Sequence, residues 1–309
     1  MDKLPGGLWP VMLTPFKDDG SIDYDGLKAL TDFYRDAGAN GLFANCLSSE
    51  MFDLTSKERI SITQTVVNQC AGKIPVVATG TFCEETSVNA DFIKKIFDTG
   101  THAVIISTSQ IINPQDGDDI LKLKLEELMK ATEGIPLGIY ECPVPFKKLI
   151  SPQLIKWLAE SNRFLYHKDT SCNLDEIITK LEMIDGSNLS LYNANTPTAL
   201  ESMQSGARGI SPISANFYPE FYSYLYKNYM NEDKARKLSN MLTIMENVTD
   251  RYYPWSAKWF LQHRGLRIDT TCRVDVNKIV YEDQVKLNSL YEIFRNVAES
   301  NGIPILELN

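Results

Sequence analysis

The chain has 309 residues, 43% of them apolar and 23% charged, with a net charge of −9 at pH 7. That is core material for one large α/β domain or two modest ones. The acidic balance disfavours phosphate backbones and anionic bilayers, and no apolar run reaches the roughly 18 residues of a membrane span, so neither nucleic acid nor membrane is expected as a partner.

In chain order, short apolar runs alternate with helical patterns. The runs are LWPVML (8–13), GLFANC (41–46), PVVATG (75–80), HAVIIS (102–107), PLGIYE (136–141), FLYHKD (164–169), LSLYNA (189–194) and GISPIS (209–214). Few charges interrupt them, which suits parallel strands buried on both faces. After the first run, DYDGLKALTDFYRDAG sets Leu27, Leu30, Phe33 and Tyr34 on one helical stripe. Thr55 and Ser56 are candidate caps for the helix after the second run, and Ser151 with Pro152 opens another. The segments AGANG (37–41), TGTHA (99–103) and SGARG (205–209) share a glycine exit from helix to strand, which needs the left-handed conformation.

Strand and helix alternating eight times predict a (β/α)8 barrel over 1–230. A doubly wound sheet is the rival, but no G-x-G-x-x-G follows the first run. After 230 the pattern is wholly helical, and no Pro/Gly/Ser-rich linker intervenes. Residues 231–309 are therefore expected to be helices packed on the barrel. The six cysteines, at 46, 70, 83, 142, 172 and 272, form no C-x-x-C pair, and the start MDKLPGGLWPV lacks a signal core. Reduced thiols and a cytoplasmic location are expected.

In a barrel, chemistry sits at the C-terminal ends of the strands. Lys168 stands there on the sixth run and Tyr140 on the fifth. If Lys168 points inward, strand alternation turns Tyr166 and Phe164 inward too and His167 toward the helices. An apolar wall lowers a lysine's pKa, which frees the amine to attack a ketone. A phenol beside it can move protons. Ser48 and Ser49, in NCLSSEMF after the second run, precede a helix, and hydroxyls and amides at such a turn suit a carboxylate. Each feature has a plainer reading: a strand-end lysine snorkelling to the surface, and simple N-capping.

Together the segments resemble the dihydrodipicolinate synthase / N-acetylneuraminate lyase family of Schiff-base barrel enzymes. The similar stretches are VMLTPFKDDGSID (11–23), CLSSE (46–50), YECP (140–143), HKDT (167–170) and GARGIS (206–211). The resemblance implies that Lys168 is the Schiff-base lysine and Tyr140 the proton-relay phenol. It also implies that Ser48, Leu47 and Ser49, with Asn193 and Ile210, hold the substrate. The implied chemistry uses no cofactor and no metal, only a covalent Schiff base on Lys168. The implied partners are a 2-keto acid such as pyruvate and further copies of the chain in a dimer or tetramer.

Three departures bear on the reaction. Leu47 stands where synthases carry a relay hydroxyl, Pro145 where they carry an arginine, and SQIINP (109–114) lacks the tyrosine that members lend to a neighbouring subunit. Dihydrodipicolinate synthesis is therefore not expected. NANTPT (193–198) is neutral where sialic acid lyases are acidic; it suits sugar hydroxyls, or simply a turn and a cap. Lys147 and Lys148 could meet a distal carboxylate or be solvated charge. The expectation is an aldolase cleaving or forming a 2-keto acid, with a 2-keto-3-deoxy acid dehydratase and a non-catalytic keto-acid-binding protein as alternatives. With three histidines and no H-E-x-x-H, P-loop or paired cysteines, no metal site is expected. NPQDGDD (113–119) should cap a helix, and YYPWSAKWF (252–260) should pack helices on the barrel rather than bind ligand.

Overall fold

The computed structural model describes residues 2–308. Eight parallel strands run β1 (Gly7–Leu8), β2 (Leu42–Ala44), β3 (Val76–Thr79), β4 (Ala103–Ser107), β5 (Leu137–Tyr140), β6 (Phe164–Asp169), β7 (Ser190–Asn193) and β8 (Gly209–Ile210). Their order around the sheet is β1-β8-β7-β6-β5-β4-β3-β2. Between β1 and β2 the ring is joined by a Val11–Phe43 bridge, with Met12 N–H donating to the Phe43 carbonyl and Phe43 N–H to that of Pro10, both at 3.0 Å. The fold is a (β/α)8 barrel with further helices after the eighth unit.

The first and last strands are shorter than their apolar runs. Pro10 and Pro212 have no N–H to give to a ladder, so the regular pairing stops before each. Beyond Pro212 the chain makes a short 3-10 turn, Ile213–Asn216.

The helices are α1 (Tyr24–Asp36), α2 (Ser56–Cys70), α3 (Thr86–Phe97), α4 (Asp118–Ala131), α5 (Pro152–Glu160), α6 (Leu174–Met183), α7 (Ala199–Gln204), α8 (Pro219–Asn228), α9 (Glu232–Thr249), α10 (Trp255–His263) and α11 (Tyr281–Asn301). The caps follow from the residues. Thr55 accepts from Glu58 N–H in a capping box, and Ser151 accepts from Leu154 N–H ahead of Pro152. α4 differs: it begins behind Gly117 with no side-chain cap, Asp118 and Asp119 lie in its first turn, and Asp116 of the acidic stretch accepts from Asn113 N–H within the loop. The glycine exits hold as well: Gly38, Gly100 and Gly206 have φ of 94°, 93° and 106°. The α1 stripe of Leu27, Leu30, Phe33 and Tyr34 is buried in the layer between helices and sheet. No helix among the described residues is long and apolar enough to cross a membrane.

A separate cluster fills the barrel: Trp9, Val11, Phe43, Ile105, Tyr166 and Tyr192 among others. Tyr166 and Tyr192 stack with centroids 4.4 Å apart, and Trp9 lies 5.2 and 5.1 Å from them. On β6 the alternation expected from the run is broken. Leu137 pairs with Phe164 and Gly138 with Tyr166, so Leu165 is a bulged, extra residue. Phe164 therefore packs in the helix-side cluster, not inward, while Leu165 joins the barrel interior. Gly138 permits the close approach, since a Cβ there would meet Ile105 Cδ1 at 2.4 Å. Beyond the bulge the phase is reset, with Tyr166 inside and Lys168 following it by two residues.

Candidate active site

Lys168 is 4% exposed. Ladder register places it between Tyr140 of β5 and Tyr192 of β7. Its Nζ lies 4.7 Å from the Tyr140 ring centroid and 5.9 Å from that of Phe43. None of the ion pairs among the described residues includes it. Burial without a counter-charge disfavours the ammonium, and the amine is pushed down to about 8, with Cys46 and Cys142 acting weakly the other way. Tyr140 is 3% exposed. Its phenol is raised well above the ordinary value, first by burial and then by Cys142 and Cys46, so it stays protonated and able to donate.

Both groups open into one cavity of about 550 Å³ at the C-terminal end of the strands. Leu47 and Ser48 line it, as expected. They lie in a 3-10 turn, Leu47–Ser49, rather than at the start of a helix; α2 begins at Ser56. Ser49 is not in the wall. Its hydroxyl donates to the Met12 carbonyl at 2.6 Å and accepts from Cys46 N–H at 3.1 Å, which holds the turn against the first strand segment.

Asn193 and Ile210 are not in the wall either. Asn193 donates to Thr198 Oγ1 and Ser202 Oγ at 2.9 and 3.0 Å and accepts from Asn195 N–H at 2.8 Å, so its amide is spent on the α7 side. Ile210 is fully buried in the helix-side core. Their neighbours Ala194, Asn195 and Ile213 face the cavity instead. Asn195 also caps the turn after it by accepting from Thr198 N–H. Lys147 lines the cavity and donates to the Thr170 carbonyl at 2.8 Å, whereas Lys148 turns away to pair with Asp118 at 2.9 Å.

The largest correction concerns YYPWSAKWF. Phe260 does pack on Phe217, Tyr218 and Phe294. Tyr253 and Pro254, however, form part of the cavity wall. So do Glu246 of α9, Asp250 at its C-terminal end and Asp275 beyond α10. Burial raises Glu246 and Asp250, and neither forms an ion pair among the described residues. Only the folding of α9 and α10 over the barrel mouth brings these residues in. Glu50 belongs to the same wall and is neutralised by Lys258 of α10 at 2.7 Å, an ion pair buried at both ends.

Behind the cavity, on the outward face of β5 and β6, Glu141, His167 and Asp169 come within 4.8 Å of one another, a metal-capable set that chain spacing does not show. Lys180 of α6 already holds it, with Nζ 2.7 Å from Glu141 and 2.6 Å from Asp169. Burial acts to raise Glu141, but His167 and Lys180 outweigh it and hold the carboxyl below its usual range. Glu141 also accepts from the amides of Ile150 and Thr170, and so ties down the segments that follow β5 and β6.

The model of the dihydrodipicolinate synthetase family matches residues 4–294. Among relatives, the 4-hydroxy-tetrahydrodipicolinate synthase of Methanococcus maripaludis is 28% identical over 236 residues, covering 75% of this chain and 78% of that one. The enzyme of the same name from Bacillus subtilis is 24% identical, covering 92% and 97%. Among solved structures, a dihydrodipicolinate synthase of Bacillus anthracis superposes with a TM-score of 0.85 at 22% identity, covering 94% of this chain and 99% of that one. One from Cyanidioschyzon merolae, with lysine bound, gives 0.86 at 17%, covering 95% and 99%.

Proposed function

The chain belongs to the dihydrodipicolinate synthetase family, a family of lyases, and from that premise we propose that it is a Schiff-base lyase that cleaves or forms a 2-keto acid through Lys168. The observation that carries this reading is the unpaired, buried amine of Lys168 beside the Tyr140 ring in a cavity of about 550 Å³. At a pKa of about 8, roughly a tenth of the amine is neutral at pH 7, against well under a thousandth for an ordinary lysine.

The neutral amine adds to the keto carbon. Loss of water then leaves a C=N bond, which is protonated to an iminium. In the cleavage direction the bond between the carbon next to the iminium and the hydroxyl-bearing carbon breaks, its electron pair forming an enamine, while that hydroxyl gives up its proton and the departing half becomes an aldehyde. Tyr140 is suited to carry that proton. Protonation of the enamine carbon and hydrolysis of the iminium by water then release pyruvate and the free amine. Ser48, with the backbone amides of Leu47 and Ser48, would hold the carboxylate of the pyruvyl half.

Two observations bear on the other half. The outer wall carries Glu246, Asp250 and Asp275 against Lys147, whose ammonium is bonded to the Thr170 carbonyl. Like charges repel, so a hydroxyl-rich aldehyde half suits this wall better than one with its own carboxylate. Pro145 likewise offers no cation at a position where an arginine would supply one. The favoured reaction is retro-aldol release of pyruvate from a 2-keto-3-deoxy acid. The same lysine could serve dehydration of such an acid.

The test is incubation with pyruvate and borohydride, peptide mapping of the modified lysine, and pyruvate release from 2-keto-3-deoxy acids of graded length. Modification at Lys168 with turnover of at least one acid is expected. Modification at Lys147 or Lys148, or trapping with no turnover of any acid, would refute catalysis by this route. Efficient condensation of pyruvate with aspartate semialdehyde would refute the reading of the outer wall.

A further inference from the structure

Between α10 and α11 the chain runs from 264 to 280 with no helix or strand. Part of this strap reaches the barrel mouth, where Val274 and Asp275 line the same cavity as Lys168. No strand pairing holds it there; a single carboxylate does. Glu50, in the same wall, stands two positions from Ser48. Its Oε2 accepts from the backbone N–H of Arg273 at 2.6 Å and of Val274 at 3.0 Å. Its Oε1 lies 2.7 Å from Lys258 Nζ, which also donates to the Thr271 carbonyl at 2.7 Å. Glu50 and Lys258 are both buried, and hydrogen bonds to ionised groups are the stronger kind.

A second fastening lies outside the cavity. The Arg273 guanidinium donates to both Glu58 oxygens at 2.6 and 3.0 Å, to the Asp53 carbonyl at 2.9 Å and to the Gly20 carbonyl at 3.0 and 3.2 Å. Glu58 sits in the first turn of α2 and Gly20 in the loop before α1, so one side chain anchors the strap to two separate parts of the barrel. Val274 and Asp275 follow that anchor directly. Asp275 forms no ion pair among the described residues. It therefore presents a carboxylate, which accepts hydrogen bonds and donates none. The cavity, at about 550 Å³, falls within the roughly 300–1,000 Å³ of pockets that enclose whole drug-sized ligands. A pyruvyl unit on Lys168 fills only a small part of it.

We propose that the strap is the specificity wall for the end of the substrate remote from Lys168: Asp275 accepts from the terminal hydroxyls of a long polyhydroxy half, and Arg273 is the positioning residue that sets it in place. This assignment rests on the Schiff-base reading for its substrates, and it adds the length of the departing half and the residues that meet its far end. A strap already held in place presents its acceptor without having to be ordered by the ligand, and that ordering would otherwise be subtracted from binding. A short substrate that ends before the strap gains nothing from it. Selection by length thus lies in a segment after the eighth βα unit, while the chemistry lies on β5 and β6.

The test measures pyruvate release from 2-keto-3-deoxy acids of four, six and nine carbons by the native chain, Arg273→Met, Arg273→Lys, Asp275→Ala and the double variant Arg273→Met/Asp275→Ala. Arg273→Met removes the outer anchor and keeps the backbone N–H that Glu50 holds. KM for the nine-carbon acid should rise about tenfold with kcat unchanged, the pattern of lost uniform binding and the scale of one charge-assisted hydrogen bond. KM for the four-carbon acid should stay at the native value, which also reports that the site is folded. Arg273→Lys keeps a cation for Glu58 without the fork and should recover part of the loss. Asp275→Ala, at an exposed position, should give the same length-dependent loss and carries the test should Arg273→Met not fold. The double variant should lose less than the two losses combined, because Arg273 acts through Asp275. Equal weakening toward all three acids, no change toward the longest, additive losses, or native turnover of the four-carbon acid alone would each overturn the proposal. Should the native chain neither trap pyruvate nor turn over any acid, the Schiff-base reading fails separately. Calorimetric binding of the nine-carbon acid to the native chain and to Asp275→Ala then decides the present one, equal affinities overturning it.

Discussion

Lys168 and Tyr140 divide the work at the scale of single residues. One must lose a proton easily and the other must keep it, and burial serves both, because it penalises an ammonium and a phenolate alike. Lys168→Arg should abolish trapping by pyruvate, since a guanidinium stays protonated and cannot attack a carbonyl. Mass analysis after borohydride reduction checks this, and residual adduct at full yield would count against Lys168. The rate of imine formation at limiting pyruvate should rise about tenfold per pH unit below 8 and level off above it, because the reactive form is the deprotonated one and its pKa is lowered to about 8. Timed borohydride quenches from pH 6 to 9.5 measure it, and a rise continuing unabated to the upper end would mean an ordinary lysine. Tyr140→Phe keeps the ring against Lys168 and Phe43, so imine formation should survive. Turnover should fall by about 10²-fold or more, the scale of losing a positioned acid–base group. Equal activity of the two forms would remove Tyr140 from the proton path.

The unit that holds this pair is two neighbouring strands and the helix behind them. The bulge at Leu165 sets the phase of β6, and the Glu141–Lys180–Asp169 cluster clamps the ends of β5 and β6 from outside. Lys180→Met would leave the buried carboxylates of Glu141 and Asp169 without the ammonium that bridges them. Breaking a buried ion pair from one side costs about 3–5 kcal/mol, so chemical denaturation should show a loss of that order. The residual folded protein should also trap pyruvate more slowly, since Thr170 and Ile150 lose their hold on a displaced Glu141. A change under 1 kcal/mol would show that the cluster bears little of the fold. The same ammonium fills the one metal-capable set among the described residues. Exhaustive chelation should therefore leave trapping and turnover unchanged, and loss restored by a divalent ion would contradict it.

At the scale of the whole molecule, we propose that residues 231–309 are an extension of the barrel that the barrel cannot do without. Lys258 of α10 and Glu50 beside the cavity are both buried, and neither forms another ion pair among the described residues. Arg264 and Glu220 make a second buried pair across the same junction, at 2.5 Å. Ending the chain at 230 would strand both acids and open the apolar faces of α8 and the strand ends to water. The expected outcome is aggregated protein with no trapping. A soluble 1–230 fragment with a cooperative thermal transition would show an independent barrel.

The sequence by itself determined the βα repeat, the caps at Thr55 and Ser151, the glycine exits and the place of Lys168 and Tyr140 at two strand ends. Those features are local: periodicity, cap chemistry and strand order all act within a few residues, so a linear reading reaches them. The tertiary structure alone decided which groups share the cavity. A one-residue bulge moved Phe164 out and Leu165 in, the amide of Asn193 was spent on α7, and Glu246 of α9 arrived with Asp250 and Tyr253 of the segment between α9 and α10, none of them in the repeat. Contacts over some 200 residues have no period and no motif. They follow from how α9 and α10 bury their apolar faces on the barrel, and that packing leaves no trace in the spacing of the residues it brings together.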